Sequence, residues 1–308
     1  MLEDATAGDP ISGLPWTRKT LRKLSQELKR RGFTVSPATV RRLLRAQDYT
    51  LRVNRKRLTK EADPHRDQQM RYIARQRRAF LQKGAPVISV DTKKKELVGP
   101  FRNAGCTWRQ QPLEVLATDF PGDADGKAIP YGIYDLQHNT GYIVIGTSHE
   151  TAAVAVAAIR TWWLRMGRRQ YADHPHLLIE ADGGGANSCR SWLWKTHLQA
   201  LADELQLTIT VTHFPPGTSK WNPIAHRLFS AITHNWAGQP LVSYETILKF
   251  IRTTSTDTGL QCRACLHRRD YPTGRKVPPQ EKAQVNLVPS RIFPHWNYTL
   301  KPHNAGRE

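Results

Sequence analysis

Two aspartates stand where a short apolar run stops: Asp91 closes "VISVD", and Asp182 closes "LLIEAD" just before Gly183, Gly184 and Gly185. Both runs read as strands, which puts each carboxylate at a strand end. Ligands of open α/β sheets gather at such ends, and glycines there let a substrate backbone approach closely. Carboxylates are the hard oxygen donors that Mg²⁺ prefers, since this ion keeps several waters and binds through one or two acids together with substrate phosphate. The pair is therefore a candidate site for two ions about 3.5 to 4 Å apart, which would activate an attacking hydroxyl and stabilise the leaving oxygen in a phosphodiester displacement. Strand-end aspartates also serve as plain turn formers and helix caps, and spacing alone does not separate the two readings. Asp119 and Asp135 end strand-like runs as well.

A second stretch, "PPGTSKWNPIAHRLFS" at residues 215–230, has the look of the loop and first turns of a metal-dependent nuclease yet carries no carboxylate. Asn222 as N-cap and Pro223 at the first helical position predict a helix whose stripe Ile224, Leu228, Phe229, Ile232 and Trp236 is buried. Lys220 is a candidate phosphate contact, and Trp221 either stacks on an unpaired base or packs in the core. His226 makes a structural hydrogen bond or meets DNA phosphate and the site's ligands, while Arg227 holds phosphate or a neighbouring carboxylate. Near the C-terminus, "CRACLH" offers Cys262, Cys265 and His267. Structural zinc needs four ligands, usually from two pairs, and no second pair is present in the sequence.

These groups need a scaffold, and the pattern supplies one. After "PVISVD" come "LEVLATDF", "IPYGIYDL" and "GYIVIGTS" as strand candidates, then the helix "TAAVAVAAIRTWWLRMG", the strand "HLLIEAD", the helix "SCRSWLWKTHLQALADELQ" and the strand "LTITVTHF". Strands followed by alternating helices and strands imply an α/β mixed sheet covered by helices. Upstream, Leu21, Leu24 and Leu28 mark one amphipathic helix ending near Gly32. Ser36 as N-cap and Pro37 start a second, with Val40, Leu43 and Leu44 inward and Arg41, Arg42 and Arg45 exposed. The two fit a helix-turn-helix that lays its second helix in the major groove, or a helical hairpin with a solvated basic face. The expected division is a helix-turn-helix domain at 1–51, a basic helical linker at 52–84, a catalytic sheet domain at 85–260 and a basic extension wrapping the surface at 261–308.

Composition bounds the partners. The 308 residues are 39% hydrophobic with nine Trp, enough for one large or two ordinary cores. With 46 Lys+Arg against 26 Asp+Glu, the formal charge of +20 favours a polyanion, nucleic acid first, with binding that weakens steeply in salt. No apolar run reaches the roughly 18 to 20 residues of a membrane span, and "MLEDATAGDP" lacks the features of a signal peptide, so the cytoplasm is expected. Four Cys are too few and scattered for a secreted disulfide framework.

The blocks "VISVDTKKKELVGPF", "KAIPYGIYDL", "ADGGGANS", "HFPPGTSKWNPIAHRLFS" and "WNYT" closely resemble the Rhodopirellula-type (ISAzo-type) insertion-sequence transposases, part of the Tc/mariner-like group. The resemblance runs from about Trp16 to Leu300. It implies a ribonuclease H-like DDE domain, cut-and-paste DNA strand transfer, and two Mg²⁺ or Mn²⁺ ions. It also implies double-stranded DNA partners, namely terminal inverted repeats and target DNA, with a homodimer in synapsis by analogy. Carried over by position, the first two acids of the family's triad fall on Asp91 and Asp182. The third is a Glu in the family's "NxIEHRLFS" block, where this sequence has Ala225.

A Glu at 225 would point from the first helical turn toward the strand-end site and complete a capping box. The Ala methyl does neither, so strand transfer is expected to fall by several orders of magnitude. No acid lies in 205–244; Glu245 is too far along, and Glu180 and Glu204 remain open as substitutes. Ala225 is explained by natural decay, by a change made to trap a complex, or by retention for DNA binding alone. Decay is favoured, because family members commonly carry a longer N-terminal region, which fits truncation. The expected function is a bacterial insertion-sequence transposase in an impaired copy. Its rivals are a transposase-derived DNA-binding protein or repressor, and a basic RNA scaffold without sequence preference.

Overall fold

The computed structural model describes residues 19–52, 63–218 and 221–303, with the backbone of Ala7–Gly8 and Pro15–Trp16. The chain divides into two compact units, residues 1–59 and 60–308.

The first unit holds two helices, α1 (Leu21–Arg30) and α2 (Pro37–Ala46). Thr20 caps α1 by accepting from Lys23 N–H at 3.3 Å, and Ser36 caps α2 by accepting from Thr39 N–H at 3.1 Å, so two orphan helix-end donors are satisfied. Gly32 turns the chain between them at φ +90°, a conformation that suits glycine. Leu24 and Val40 are buried, and Arg41, Arg42 and Arg45 are exposed. Leu43 departs from its expected inward place and is 48% exposed. Val40 and Leu44, four residues apart, take the inner face of α2 and leave Leu43 to the side.

The second unit is a mixed nine-stranded sheet with helices on both faces. Its strands are β1 (Val87–Thr92), β2 (Glu96–Val98), β3 (Gly126–Asp135), β4 (Thr140–Gly146), β5 (His176–Ala181), β6 (Thr208–His213), β7 (Gln261–His267), β8 (Leu287–Pro289) and β9 (Asn297–Leu300). The order is β8-β9-β6-β5-β1-β3-β4-β7, with β2 pairing β3. β1, β3 and β4 form an antiparallel meander, while β5 and β6 run parallel to β1. On one face, α4 (Ala152–Trp162) and α5 (Trp192–Leu205) bury Trp162, Trp194 and Leu198 against Ile88, Val90 and Ile179. On the other, a π-helical turn (Ala225–Phe229) runs into α6 (Ser230–Asn235) and packs with α7 (Tyr244–Arg252). The stripe Ile224, Leu228, Phe229, Ile232 and Trp236 is buried there as its spacing predicts.

Three expectations need correction. "LEVLATDF" forms no strand: Leu113, Leu116 and Phe120 are exposed, and Leu116 N–H donates to the Pro100 carbonyl at 2.9 Å, outside the sheet. Residues from 261 onward do not merely wrap the surface, because β7 pairs with β4 and β9 with β6 inside the sheet. The supposed linker contains α3 (Arg66–Gln82), which buries Gln69 and Ile73 and belongs to this unit. Gln69 Nε2 donates to Asn297 Oδ1 at 2.8 Å and Asn297 Nδ2 returns the bond to Gln69 Oε1 at 2.7 Å, a reciprocal amide pair that satisfies buried polar groups. Among the described residues, no helix is long and apolar enough to cross a membrane.

Candidate active site

Val90 of β1 pairs with Ala181 of the parallel β5, so Asp91 and Asp182 are neighbours at the same end of two central strands. The sequence placed them there, and the structure brings them together. Asp91 Oδ1 accepts from Thr92 N–H at 2.8 Å. Burial, and after it the charge of Asp182, pushes the Asp91 carboxyl up to about 7; Glu150 adds to the rise. Burial also raises Asp182, against hydrogen bonds from Asn187 and the Gly184 backbone, with Glu150 again pushing upward. Asp182 Oδ1 is buried with no hydrogen-bond partner.

A relay of buried groups fixes Asp182 from below. Its carbonyl can only accept, so His213 Nδ1, at 2.9 Å, carries the proton and donates. His213 Nε2 then accepts from Tyr298 Oη at 3.2 Å, and that oxygen accepts from Trp194 Nε1 at 2.9 Å. Burial lowers His213 from the ordinary 6.5 to about 4 and keeps it neutral, as this network requires. On the other side, Tyr131 Oη donates to Asn187 Oδ1 at 2.6 Å, which orients the amide toward Asp182.

Residue 225 lies on the Asp91 side of the sheet. Ser89 and Asp91 are two apart on β1 and share a face. Ser89 Oγ donates to Asn222 Oδ1 and accepts from Ile224 N–H at 3.3 Å, so Ser89 supplies the helix-start bond expected from Asn222. Gly132, opposite Asp91 in register, makes room for this helix: a Cβ there would lie 2.5 Å from the Phe229 ring and 2.8 Å from Ile224.

The other acids stand elsewhere. Glu180, fully buried, receives a fork from Arg77 at 2.7 and 2.6 Å, and Glu204 pairs with Arg160 at 2.5 Å on the surface. Glu245 is exposed beside Arg268. Asp135 pairs with Ile88, toward the far end of β1, and is held by Tyr171 Oη at 2.8 and 2.9 Å. Asp119 is exposed on the loop before β3. His226 and Arg227 are exposed and, with Tyr134, Asn139, Ser230 and His234, line a cavity of about 600 Å³. Trp221 is 57% exposed, so core packing is not its role; Lys220 lies outside the described residues. Cys262 and Cys265 are three apart on β7, an offset that sends them to opposite faces.

Sequence reasoning passed over Ser89, Asn187, His213 and Glu150. Asn187 and His213 stood within the quoted blocks, but their role depends on partners far along the chain. Nothing local marked Glu150.

The donor set fits a divalent cation. Two half-buried carboxylates stand at neighbouring strand ends, one with a buried oxygen lacking a partner, and a cation held there would supply the missing counter-charge. Among the described residues, no three His, Cys, Asp or Glu side chains converge closely enough to hold an ion as they stand.

No curated protein matches the chain. Solved structures similar to it include a Mos1 transposase paired-end complex with left transposon end, 19% identical at a TM-score of 0.46, covering 75% of this chain and 65% of that one. A mariner Mos1 paired-end complex with Mg is 18% identical at 0.46, covering 79% and 73%. A pre-cleavage Mos1 transpososome is 16% identical at 0.44, covering 79% and 72%. The chain thus spans just under two thirds of the first of these, at 65%. The family described as Rhodopirellula transposase DDE domain matches residues 1–302, and the chain belongs to that family.

Proposed function

We propose that this chain is the transposase of a bacterial insertion sequence, acting in the cytoplasm on double-stranded DNA, with a ribonuclease H-like DDE domain whose strand-transfer step is impaired. The observation that carries the proposal is the Asp91–Asp182 pair at the ends of adjacent parallel strands, with a buried oxygen of Asp182 left unpartnered. These two residues would hold Mg²⁺ or Mn²⁺, two ions in an intact triad. Such ions supply charge stabilisation for the attacking and leaving oxygens of an in-line phosphodiester displacement. The protein's own part is positional. His213 and Asn187 fix Asp182, Thr92 N–H orients Asp91, and Ser89 anchors the helix start that leads into residue 225.

Ala225 offers no oxygen where the family has Glu, and this is the basis for impairment. Asp91 and Asp182 act in catalysis; Lys220, His226 and Arg227 hold DNA phosphate, and the exposed Trp221 stacks on a base at the cut end. The N-terminal helical pair is a helix-turn-helix that reads the terminal inverted repeats through Arg41, Arg42 and Arg45. Two copies would join two element ends in synapsis. The test is an end-labelled duplex bearing the flanking repeat, incubated with Mn²⁺. Metal-dependent cutting by Ala225→Glu that disappears when Asp182→Asn is added, with the mobility shift retained, supports the assignment; cutting by Ala225→Glu that survives Asp182→Asn overturns it.

The second reading, a repressor derived from a transposase, draws on the same exposed arginines and on Ala225. It predicts repeat-specific binding and no cutting.

A further inference from the structure

Glu150 lies outside every block that pointed to the site, yet the fold delivers it there. It immediately precedes Thr151, whose Oγ1 caps α4 by accepting from Val154 N–H at 3.4 Å. α4 packs against the turn at Gly185–Asn187, which begins three residues after Asp182. A Cβ on Gly185 would sit 3.0 Å from Glu150 Oε1, and one on Gly184 would sit 4.0 Å from Asp182 Oδ2. Two consecutive glycines are therefore flanked by the two carboxylates, and a side chain at Gly185 would press on Glu150.

The charges show the same convergence. After burial, Glu150 adds to the rise of Asp91 and Asp182, and after burial all three acids add to the rise of the buried Tyr131 hydroxyl. Against these three stands Lys95, whose Nζ is 3.0 Å from Glu150 Oε2 and whose side chain is 51% exposed. An exposed ammonium on a flexible stem is a weakly held partner that a divalent ion can displace.

We infer that Glu150 is a further metal-holding side chain of this site, its carboxylate leaving Lys95 to become the third acid around a divalent ion at Asp91 and Asp182. This rests on the metal site proposed above, and it deepens that proposal by naming what holds charge where Ala225 does not. Glu150 approaches from the start of α4 beside Gly185, whereas residue 225 sits on the helix start that Ser89 holds. It therefore sustains metal binding without taking over the geometry a Glu at 225 would provide.

The experiment is a calorimetric titration of Mn²⁺ into the full chain without DNA, on the unsubstituted protein, Glu150→Gln and Asp91→Asn. Glu150→Gln is expected to weaken Mn²⁺ binding roughly tenfold or more, and Asp91→Asn to abolish it. If Asp91→Asn abolishes binding while Glu150→Gln leaves it unchanged, Glu150 is only a surface partner of Lys95 and the inference fails alone. If Asp91→Asn binds like the parent, the metal site and the inference both fall. Lys95→Met guards against a Glu150 variant that does not fold: freeing the carboxylate should tighten Mn²⁺ several-fold, and an unchanged affinity overturns the inference.

Discussion

Ser89 and Asn222 are joined by a buried hydrogen bond that ties the strand carrying Asp91 to the helix start carrying residue 225. Ser89 Oγ also accepts from Ile224 N–H, so one hydroxyl serves two buried groups. Ser89→Ala leaves both short of a partner and should cost about 1–3 kcal/mol. Urea unfolding should show a lower midpoint at unchanged slope. A loss under about 0.5 kcal/mol would mean that this link does not hold the helix.

Arg77→Ala should be among the most destabilising changes in α3. It strands the fully buried Glu180 carboxylate, a situation that costs about 3–5 kcal/mol. Burial already raises the Glu180 carboxyl against the pull of Arg77, so a raised Glu180 after removal of Arg77 is expected to take up a proton. The pair Arg77→Met with Glu180→Leu should recover most of the loss, since apolar groups of similar volume replace buried ion pairs well. Equal instability in the single and double variants would contradict this account.

How far the sequence could be read follows from the range of each signal. Ser36–Pro37 and the Ile224–Trp236 stripe were legible because caps and helical periodicity act within a few residues. Asp91 and Asp182 were legible as strand ends, and their adjacency follows from β1–β5 pairing. "LEVLATDF" failed because strand propensity acts only where a partner strand covers the apolar residues, and here Leu113, Leu116 and Phe120 stay exposed. The roles of α3 and of β7 to β9 were not legible, since Gln69–Asn297 and Arg77–Glu180 join residues more than a hundred positions apart. Glu150 was hidden for the same reason: only the packing of α4 against the glycine turn brings it to the aspartates.

Stability should fall on mild acidification through His213. Its folded pKa is lowered to about 4, below the ordinary 6.5, so between these values the unfolded chain binds a proton that the fold refuses. Its contribution is present above about pH 6.5 and is lost as pH falls toward 4, by about 3 kcal/mol at most. Comparing melting temperatures from pH 7 to pH 5 for the parent and His213→Gln tests this. The parent should lose more than the variant; parallel curves would show that His213 is not the group responsible.

Repeat recognition should depend on salt through α2. Each arginine that neutralises a phosphate contributes about 0.9 to the slope of log affinity against log salt. Replacing Arg41, Arg42 and Arg45 with Ala should therefore flatten the slope and weaken the mobility shift on the repeat. An unaltered slope would place the DNA contacts elsewhere.

We propose Asp91 and Asp182 as a transposase metal site short of one acid at position 225. Its most direct test is Mn²⁺-dependent strand cleavage of a labelled element end by this chain and by Ala225→Glu, side by side. Ala225→Glu is expected to cut faster by orders of magnitude, and the advantage to vanish when Asp91→Asn is added. Equal cutting by the two proteins would contradict it, because position 225 would then play no part in the reaction.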